Sequence, residues 1–293
     1  MPCNYCPRKC NANRYEKPGF CGMGEKPVVA RAFLHRWEEP CISGTRGSGT
    51  VFFSGCNLKC VFCQNYTISQ ENTGREITVE KLAEIFLSLQ EKGAHNINLV
   101  TPSHFVRQIR SAYHLAKGLK IPVIYNSNGY DSLECLKTME GIAGIYLPDL
   151  KYFSPDISSK YSGAPDYFET ASIAVKEMSR QTGPAVFDSE GIMQKGLIIR
   201  HLILPGHTGD SIRLLQWISD NLPQDVHISL MSQYTPYYHA GLHPELNRRI
   251  TAWEYEKVLN KFYRLGFKNG YIQERGSASE EYIPDFNVNE LDF

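Results

Sequence analysis

Several features that place proteins in broad classes are missing from this sequence. It contains no run of about 18 apolar residues, which excludes a membrane-spanning helix of ordinary length. Its 31 basic and 31 acidic residues cancel, so bulk charge gives no reason to expect a nucleic-acid partner. Charged residues and cysteines stand near the start of the chain, in place of the apolar stretch of a secretory signal. We therefore expect a cytoplasmic protein that binds neither membrane nor nucleic acid.

The chain has nine cysteines, which in a reducing compartment are more typical of metal ligands than of disulfides. Cys3, Cys6, Cys10 and Cys21 share a short N-terminal segment rich in loop-forming residues. Such a segment is too short to order itself by burial, so we predict that a metal orders it. Zinc and a second [4Fe–4S] cluster both accept four thiolates, and the spacing does not separate them. For the lone Cys41, a buried thiol, a cluster ligand and a redox relay all remain open.

A second group, Cys56, Cys60 and Cys63, has the spacing C-x3-C-x2-C and follows the apolar run Thr50-Val51-Phe52-Phe53. The run predicts a short buried strand, which would present the cysteines at one edge of a sheet. Zinc suits this spacing less well, because zinc sites favour C-x2-C pairs. A [4Fe–4S] cluster normally takes four thiolates and here receives three. We predict such a cluster, whose fourth iron either binds another residue or stays open to a ligand that is not protein.

Apolar runs alternate with helical patterns along the rest of the chain, which predicts parallel strands joined by helices. The predicted strands cover residues 50–53, 96–101, 121–126, 142–147, 197–204 and 226–231, with a further possible strand at 28–34. The predicted helices cover residues 78–89, 104–118, 132–139, 166–180, 210–222 and 252–265. About six such units indicate an α/β protein with an open, partial (β/α)6 TIM-like barrel, and a doubly wound sheet is the alternative. We divide the chain into a cysteine-rich extension and connector (1–45), a barrel core (46–240), and a C-terminal helix and tail packing on the barrel (241–293).

Polar residues follow each predicted strand, at the edge where the sites of parallel α/β folds gather. Part of this pattern is ordinary turn chemistry, but six consecutive polar strand ends also predict a polar pocket. The candidate binding residues are Thr101, Ser103, Asn126, Asn128, Asp149, Lys151 and Gln233. The segment 270–279 is a candidate cover for the mouth of this pocket.

The cysteine loop after a strand, with Phe62 directly before the third cysteine, resembles the radical S-adenosylmethionine (SAM) superfamily. That resemblance implies a partial barrel and a [4Fe–4S] cluster on Cys56, Cys60 and Cys63. It also implies that the open iron chelates the amino and carboxylate groups of SAM. One electron would then cleave SAM to methionine and a 5'-deoxyadenosyl radical, which abstracts a hydrogen atom.

A closer resemblance is to the activating enzymes of pyruvate formate-lyase and its relatives. Its carriers are the cysteine triplet, Asn126-Ser127-Asn128-Gly129, Asp149-Leu150-Lys151, and Arg200 with Leu204-Pro205-Gly206. That branch usually has Gly-Gly-Glu-Pro after the second strand, where this chain has Thr101-Pro102-Ser103-His104. The resemblance then implies that backbone carbonyls and the Thr101 or Ser103 hydroxyl hold the SAM ammonium. It further implies that the asparagine turn and Lys151 lie beside the SAM carboxylate and ribose, and that Asp149 near Asn126 is a candidate site for a monovalent cation.

The expected activity is hydrogen abstraction from a protein or peptide, with a glycyl-radical enzyme as the favoured substrate. Reduction of the cluster implies an electron donor such as flavodoxin or ferredoxin. Two alternatives remain: a radical SAM enzyme acting on a small metabolite or another peptide, and a non-catalytic iron–sulfur or zinc protein that serves as electron carrier or adaptor.

Overall fold

The structure, a computed structural model, describes residues 2–273 and Phe286. The strands are β1 (Val28–His35), β2 (Ser48–Phe53), β3 (Arg75–Glu76), β4 (Ile97–Val100), β5 (Val123–Ser127), β6 (Ala143–Pro148), β7 (Val186–Phe187), β8 (Met193–Leu202), β9 (His227–Met231) and β10 (Gly270–Ile272). The helices are α1 (Pro40–Ser43), α2 (Tyr66–Ser69), α3 (Val79–Glu91), α4 (Val106–Leu115), α5 (Leu133–Met139), α6 (Pro155–Ser162), α7 (Tyr167–Thr182), α8 (Thr208–Asn221) and α9 (Ala252–Arg264).

The central sheet has the strand order β10-β9-β8-β6-β5-β4-β2-β1-β3. In the described part of the chain, the seven neighbouring strands from β2 to β10 run parallel, and β1 pairs with β2 antiparallel. Because β10 and β2 stand apart in this order, the sheet is open, which confirms the partial barrel. Six strand–helix units build it, as predicted. The segment Gly270–Ile272, predicted to belong to a tail that covers the pocket, forms a seventh parallel strand, and Tyr271 and Gln273 line the cavity at the strand ends. Residues 274–279 of that tail lie outside the described residues.

Helices cover the outer face of the sheet, and their ends carry the signals found in the sequence. Thr78 caps α3, accepting a hydrogen bond from the Lys81 amide at 3.2 Å, and Ser132 caps α5 in the same way. The inward stripe of α3 is buried, as its apolar spacing predicts. None of the helices in the described range is long and apolar enough to cross a bilayer.

Short helix α1 closes the inner end of the barrel. Its Cys41 and Ile42 are buried against inward-facing side chains of β5, β6 and β8, including Ile124 and Ile198. The Asn96 side chain, just before β4, donates to the Ile42 carbonyl at 2.8 Å. Burial raises the pKa of the Cys41 thiol to about 11. Of the roles left open for Cys41, the structure therefore supports the buried thiol.

The N-terminal segment (residues 2–25) packs against the loop that carries the second cysteine group. Gly55, directly before that group, has a φ of +80°, and a Cβ there would lie 2.7 Å from the Cys21 carbonyl oxygen and 2.5 Å from the Met23 side chain. Only glycine fits this contact, because it tolerates the left-handed region and fills no space. Arg8 adds a hydrogen bond to the Asn57 carbonyl at 2.7 Å. The two cysteine groups thus lie on directly contacting segments.

Helix α9 is anchored to the loop after β8 through a buried carboxylate. Glu254 forms a capping box with Thr251, and its oxygens accept two hydrogen bonds from Arg248 at 2.7 Å each. The Gly206 amide donates to the same carboxylate at 2.6 Å. The hydrogen bonds from Arg248 hold the pKa of Glu254 well below its ordinary value. This carboxylate therefore ties α9 to the strand ends that surround the candidate pocket.

We expect Glu254→Gln to lower the free energy of unfolding at pH 7 by about 2 kcal/mol, because charge-assisted hydrogen bonds are lost. The pKa of Glu254 is lower in the folded protein than in the unfolded chain, so its stabilisation is full above the unfolded value of about 4.3 and declines as the pH falls below it. Urea unfolding of both proteins between pH 7 and pH 3 measures the difference, which should shrink at the acid end. Glu256→Gln, at an exposed position of the same helix, is the control. Equal losses in the two variants would contradict this account.

Candidate functional site

A cavity of about 340 Å³ opens at the carboxyl ends of the parallel strands and reaches into the barrel. The three cysteines of the C-x3-C-x2-C loop line one side of it, together with Thr101, Asn126, Asn128, Asp149, Lys151 and Gln233. Its inner end is formed by His35, the last residue of β1, and by Trp37, Glu38 and Glu39 of the connector between β1 and α1. Most of the predicted binding residues therefore share one cavity with the predicted cluster ligands.

Hydrogen bonds position the three cysteine sulfurs individually. Cys60 Sγ lies 2.9 Å from the Ser162 hydroxyl at the end of α6, a helix that the sequence analysis missed. Cys63 Sγ lies 3.2 Å from the Ser69 hydroxyl, and the Asn128 side chain donates to Cys56 Sγ at 3.3 Å. These polar contacts suit a bound thiolate, because an anionic sulfur accepts hydrogen bonds.

The cysteine loop fits a cluster better than it fits free thiols. Burial raises the pKa of the Cys60 thiol to about 12, while the nearby Lys151 ammonium works against that rise. A metal is the usual partner that turns such a buried thiol into a thiolate. Among the described residues, no three Cys, His, Asp or Glu side chains are placed to share a single ion. A [4Fe–4S] cluster makes a different demand, since each thiolate binds a different iron, and here three sulfurs face the cavity.

A buried guanidinium organises the wall of the cavity below the cysteines. Arg200, on β8, donates to Asp149 at 2.8 Å, to Glu38 at 3.0 Å and to the Asn126 side-chain oxygen at 2.7 Å. Lys151 donates to the second oxygen of Asp149 at 2.7 Å. Burial opposes the ionisation of Asp149, but the charges of Arg200 and Lys151 outweigh it and hold the pKa of this carboxyl below its ordinary value. Asp149 is therefore ionised and holds Lys151 as a fixed positive charge at the cavity wall, whereas burial raises the pKa of Glu38.

The resemblance implied a monovalent cation near Asp149 and Asn126, but the side-chain oxygens that would bind it are already hydrogen-bonded. Arg200 already bridges these two side chains, and both oxygens of Asp149 are engaged. A cation placed between them would have to displace a buried guanidinium.

Thr101, at the end of β4, lines the cavity in a strained conformation. Its φ is +60°, in the left-handed region that a β-branched residue seldom adopts. Its amide donates to the Asn126 carbonyl at 2.9 Å, which ties the turn to β5. Strain of this kind is concentrated at functional sites. Thr101 is therefore well placed for the binding role that the sequence suggested.

Ser103, by contrast, does not line the cavity. It lies in a short 3-10 turn, Ser103–Phe105, and its hydroxyl donates to the buried Asp131 at 2.5 Å. Asp131 also accepts hydrogen bonds from Tyr125 and Ser127, so it holds the asparagine turn from behind. The expectation that Ser103 binds a ligand directly is not supported by this position; the residue supports the neighbouring turn.

Gln233 does line the cavity, at the far end of the sheet. Its side-chain oxygen accepts a hydrogen bond from Gln273, which follows β10, at 3.0 Å. Nearby, Phe62 of the cysteine loop meets Tyr234 edge to face at 5.7 Å between ring centroids. This contact closes the cavity beside the cysteines with apolar surface.

The four N-terminal cysteines are close enough to influence one another. Burial raises the pKa of the Cys6 thiol to about 12, and the charges of Cys21, Cys3 and Cys10 add to that rise. Cys10 Sγ and Cys21 Sγ lie 3.3 and 3.7 Å from the position that a Cβ on Gly19 would take. The cysteines of this segment therefore lie near one another, and the segment contacts the loop of Cys56 at Gly55.

Two cavity residues, Glu38 and Glu39, were noticed in the sequence only as weak candidates. Glutamates are usually solvated, and a pair before a proline carries no signal of burial. Only the pairing of Glu38 with Arg200, a residue 162 positions away, shows that this glutamate of the connector lies inside the barrel. No local pattern would have found this contact.

Comparison with known proteins agrees with the fold and the cysteine loop. Residues 50–218 match the family model described as the Radical SAM superfamily. The uncharacterised protein MJ0674 of Methanocaldococcus jannaschii is 32% identical over 269 residues, which cover 88% of this chain and 73% of that protein.

Among solved structures, Streptococcus suis SuiB bound to precursor peptide SuiA is similar with a TM-score of 0.51 and 13% identity, over 75% of this chain and 46% of that chain. SuiB bound to S-adenosylmethionine is similar with a TM-score of 0.50 and 14% identity, over 77% and 50% of the two chains. This chain thus spans about half the length of SuiB, and at such identities the likeness shows the fold alone. By the family match and the identity to MJ0674, the chain belongs to the radical SAM superfamily, which implies a [4Fe–4S] cluster and S-adenosylmethionine as its cofactors.

Proposed function

We propose that this protein cleaves SAM at a [4Fe–4S] cluster held by Cys56, Cys60 and Cys63, and that the radical abstracts hydrogen from a protein or peptide. A glycyl-radical enzyme is the substrate that the resemblance to activating enzymes favours. The observation that carries the proposal is the shared cavity, in which three cysteines and the polar strand ends face the same space. When bound, the cluster would supply the electron that splits SAM into methionine and a 5'-deoxyadenosyl radical.

The residues of this chain would bind and orient SAM and keep water away from it. Lys151 offers a fixed positive charge to the SAM carboxylate, because Asp149 holds its ammonium at the cavity wall. The strained Thr101 turn offers its carbonyl and hydroxyl to the SAM ammonium. Asn128 acts as a positioning residue, since it donates both to Cys56 and to the Asn57 side chain at 2.7 Å. Asn126 and Gln233 complete the polar lining.

Aromatic residues near the cavity support a macromolecular substrate. Tyr238, which is 37% exposed, stacks on Tyr66 of α2 with 5.0 Å between the ring centroids, and both stand next to cavity residues, Tyr237 and Asn65. Exposed aromatic side chains are enriched where proteins bind proteins and peptides. SuiB, which shares the fold, is described as bound to a precursor peptide, an analogy that rests on fold alone.

The radical chemistry has a direct test in the cysteine loop. We expect Cys56→Ser to lose the iron of this cluster and to lower dithionite-driven 5'-deoxyadenosine release by about 100-fold or more, because the cluster is its electron source. Iron counts and 5'-deoxyadenosine release under strict anoxia measure both effects. Cys135→Ser is the matched control, since that buried cysteine lies outside the cavity and donates to the Tyr5 carbonyl, which serine can also do.

A Cys56→Ser protein that cleaved SAM at the wild-type rate would contradict the assignment. Iron in the wild-type protein without any 5'-deoxyadenosine would instead favour a non-catalytic electron carrier or adaptor.

The substrate is tested with glycyl-radical enzymes as candidate partners. We expect the reduced holoenzyme to produce a glycyl radical signal in electron paramagnetic resonance when its partner lyase is present. Deuterium should then appear in 5'-deoxyadenosine if the lyase carries α-deuterated glycine, since the abstracted atom ends there. A lyase whose radical glycine is replaced by alanine is the control. Release of 5'-deoxyadenosine that is indifferent to every lyase would shift the assignment to a small metabolite or another peptide.

We further propose that Cys3, Cys6, Cys10 and Cys21 bind a metal centre next to the cluster loop, and that flavodoxin or ferredoxin supplies the electron. Metal analysis decides its nature: about eight irons per chain indicate a second cluster, and about four irons with one zinc indicate a structural zinc site. The double variant Cys6→Ser and Cys21→Ser should lose that second component and unfold at lower temperature, while Cys135→Ser keeps it. Unchanged metal content in the double variant would contradict the site.

A further inference from the structure

The inner end of the cavity is built from a segment that belongs to no strand or helix of the barrel. After β1, residues 36–39 lead into α1, which packs against side chains of β5, β6 and β8, and Glu38 reaches Asn98 on β4 and Arg200 on β8. Glu38 and Glu39 from this segment line the cavity. They stand apart from the cysteine loop, which lies at the carboxyl edge of the sheet. Glu38 is linked through Arg200 to Asp149 and Asn126 of the proposed SAM wall, whereas Glu39 is not among the residues assigned to SAM.

The charges that line the cavity do not balance. In the described part of the chain, its lining holds three carboxyl groups, Glu38, Glu39 and Asp149, against two permanent cations, Lys151 and Arg200. A buried carboxyl group without a counter-charge either keeps its proton or pairs with a bound cation, and a bound cation would hold it ionised.

The existing cations are already committed to two of the three carboxylates. Asp149 receives both Arg200 and Lys151, and the two oxygens of Glu38 receive Arg200 and the Asn98 side chain. Among the described residues, the Lys151 ammonium pairs with Asp149 and forms no hydrogen bond with the connector. Neither cation forms a hydrogen bond with the third carboxyl group, that of Glu39, in the described part of the chain.

Glu39 is 92% buried, and one of its carboxylate oxygens, Oε2, has no hydrogen-bond partner. The Ser229 side chain, on β9, forms a hydrogen bond with the Glu39 carboxyl group, and Arg200 interacts with that group only through its charge. Burial raises the pKa of Glu39, as expected for an acid that lacks a close cation. Glu39 also lines the cavity, and an unpartnered buried acceptor at a cavity wall is a feature that a bound donor would satisfy.

We propose that the inner end of the cavity binds a primary ammonium group of the molecule on which the radical acts, with Glu39 as its carboxylate partner. A lysine side chain, a peptide N-terminus and a small amine all carry this group. An ammonium suits the site because it brings the missing charge and several donors in a compact shape. The inference rests on the proposed function, since it describes the substrate that shares the cavity with SAM.

The test is a calorimetric titration of the reconstituted, unreduced holoenzyme, loaded with SAM, using n-butylammonium chloride and n-butanol as probes. We expect n-butylammonium to bind at least about tenfold more tightly than n-butanol, and Glu39→Gln to remove that preference, as loss of a charged hydrogen-bond partner implies. Glu84→Gln, an exposed carboxylate on α3, is the matched control and should behave as wild type. Because no SAM is cleaved, the result does not depend on whether the proposed reaction occurs.

Equal binding of the two probes to the wild-type protein would overturn the proposal without reference to any variant. A second result would also overturn it: n-butylammonium binds only when SAM is absent, and Glu39→Gln binds SAM more weakly than the wild-type protein. The ammonium that Glu39 holds would then be that of SAM itself. Thermal unfolding adds a readout that separates binding from structure. Removal of a buried carboxylate without a close cation should raise the Tm of Glu39→Gln by about 2 °C or more, whereas a fall in Tm would assign Glu39 a structural role and count against the proposal.

Discussion

The guanidinium of Arg200 is the contact on which the interior of this barrel depends. It joins Asp149 after β6, Asn126 on β5 and Glu38 of the connector, and so ties together two neighbouring strand ends and the connector between β1 and α1. A buried ion pair of this kind stabilises little by itself, yet removal of one partner leaves an uncompensated charge in a low-dielectric interior. These contacts therefore specify one path for the connector and one arrangement of the strand ends that Arg200 joins.

That arrangement matters because the cysteine loop is supported from several directions. The N-terminal segment presses on Gly55, α6 brings Ser162 to Cys60, and the asparagine turn brings Asn128 to Cys56. Asp131 holds the asparagine turn from behind through three hydroxyl groups. Cluster ligands, the wall that would receive SAM and the inner end that would receive a substrate are therefore parts of one connected interior.

Much of this could be predicted, for definite physical reasons. The cysteine spacing and the preceding apolar strand identified the family, since thiolates that share a cluster must stand close along the chain or be brought close by a turn. The alternation of apolar runs and capped helices gave the partial barrel, and Thr78 and Ser132 cap α3 and α5 as their positions indicated. Ser103 lies outside the cavity, where its hydroxyl donates to the buried Asp131, a partner 28 residues away that the local sequence does not indicate.

What the sequence by itself determined was therefore local: which segments form strands and helices, where they end, and which cysteines act together. Those choices follow from periodicity, capping and spacing over a few residues. Tertiary structure alone decided that β10 joins the sheet, that α6 reaches the cysteine loop, and that Glu38 meets Arg200. The partners in each of these contacts are far apart in the chain, and only the close packing of the barrel interior determines which distant charges and hydroxyls meet.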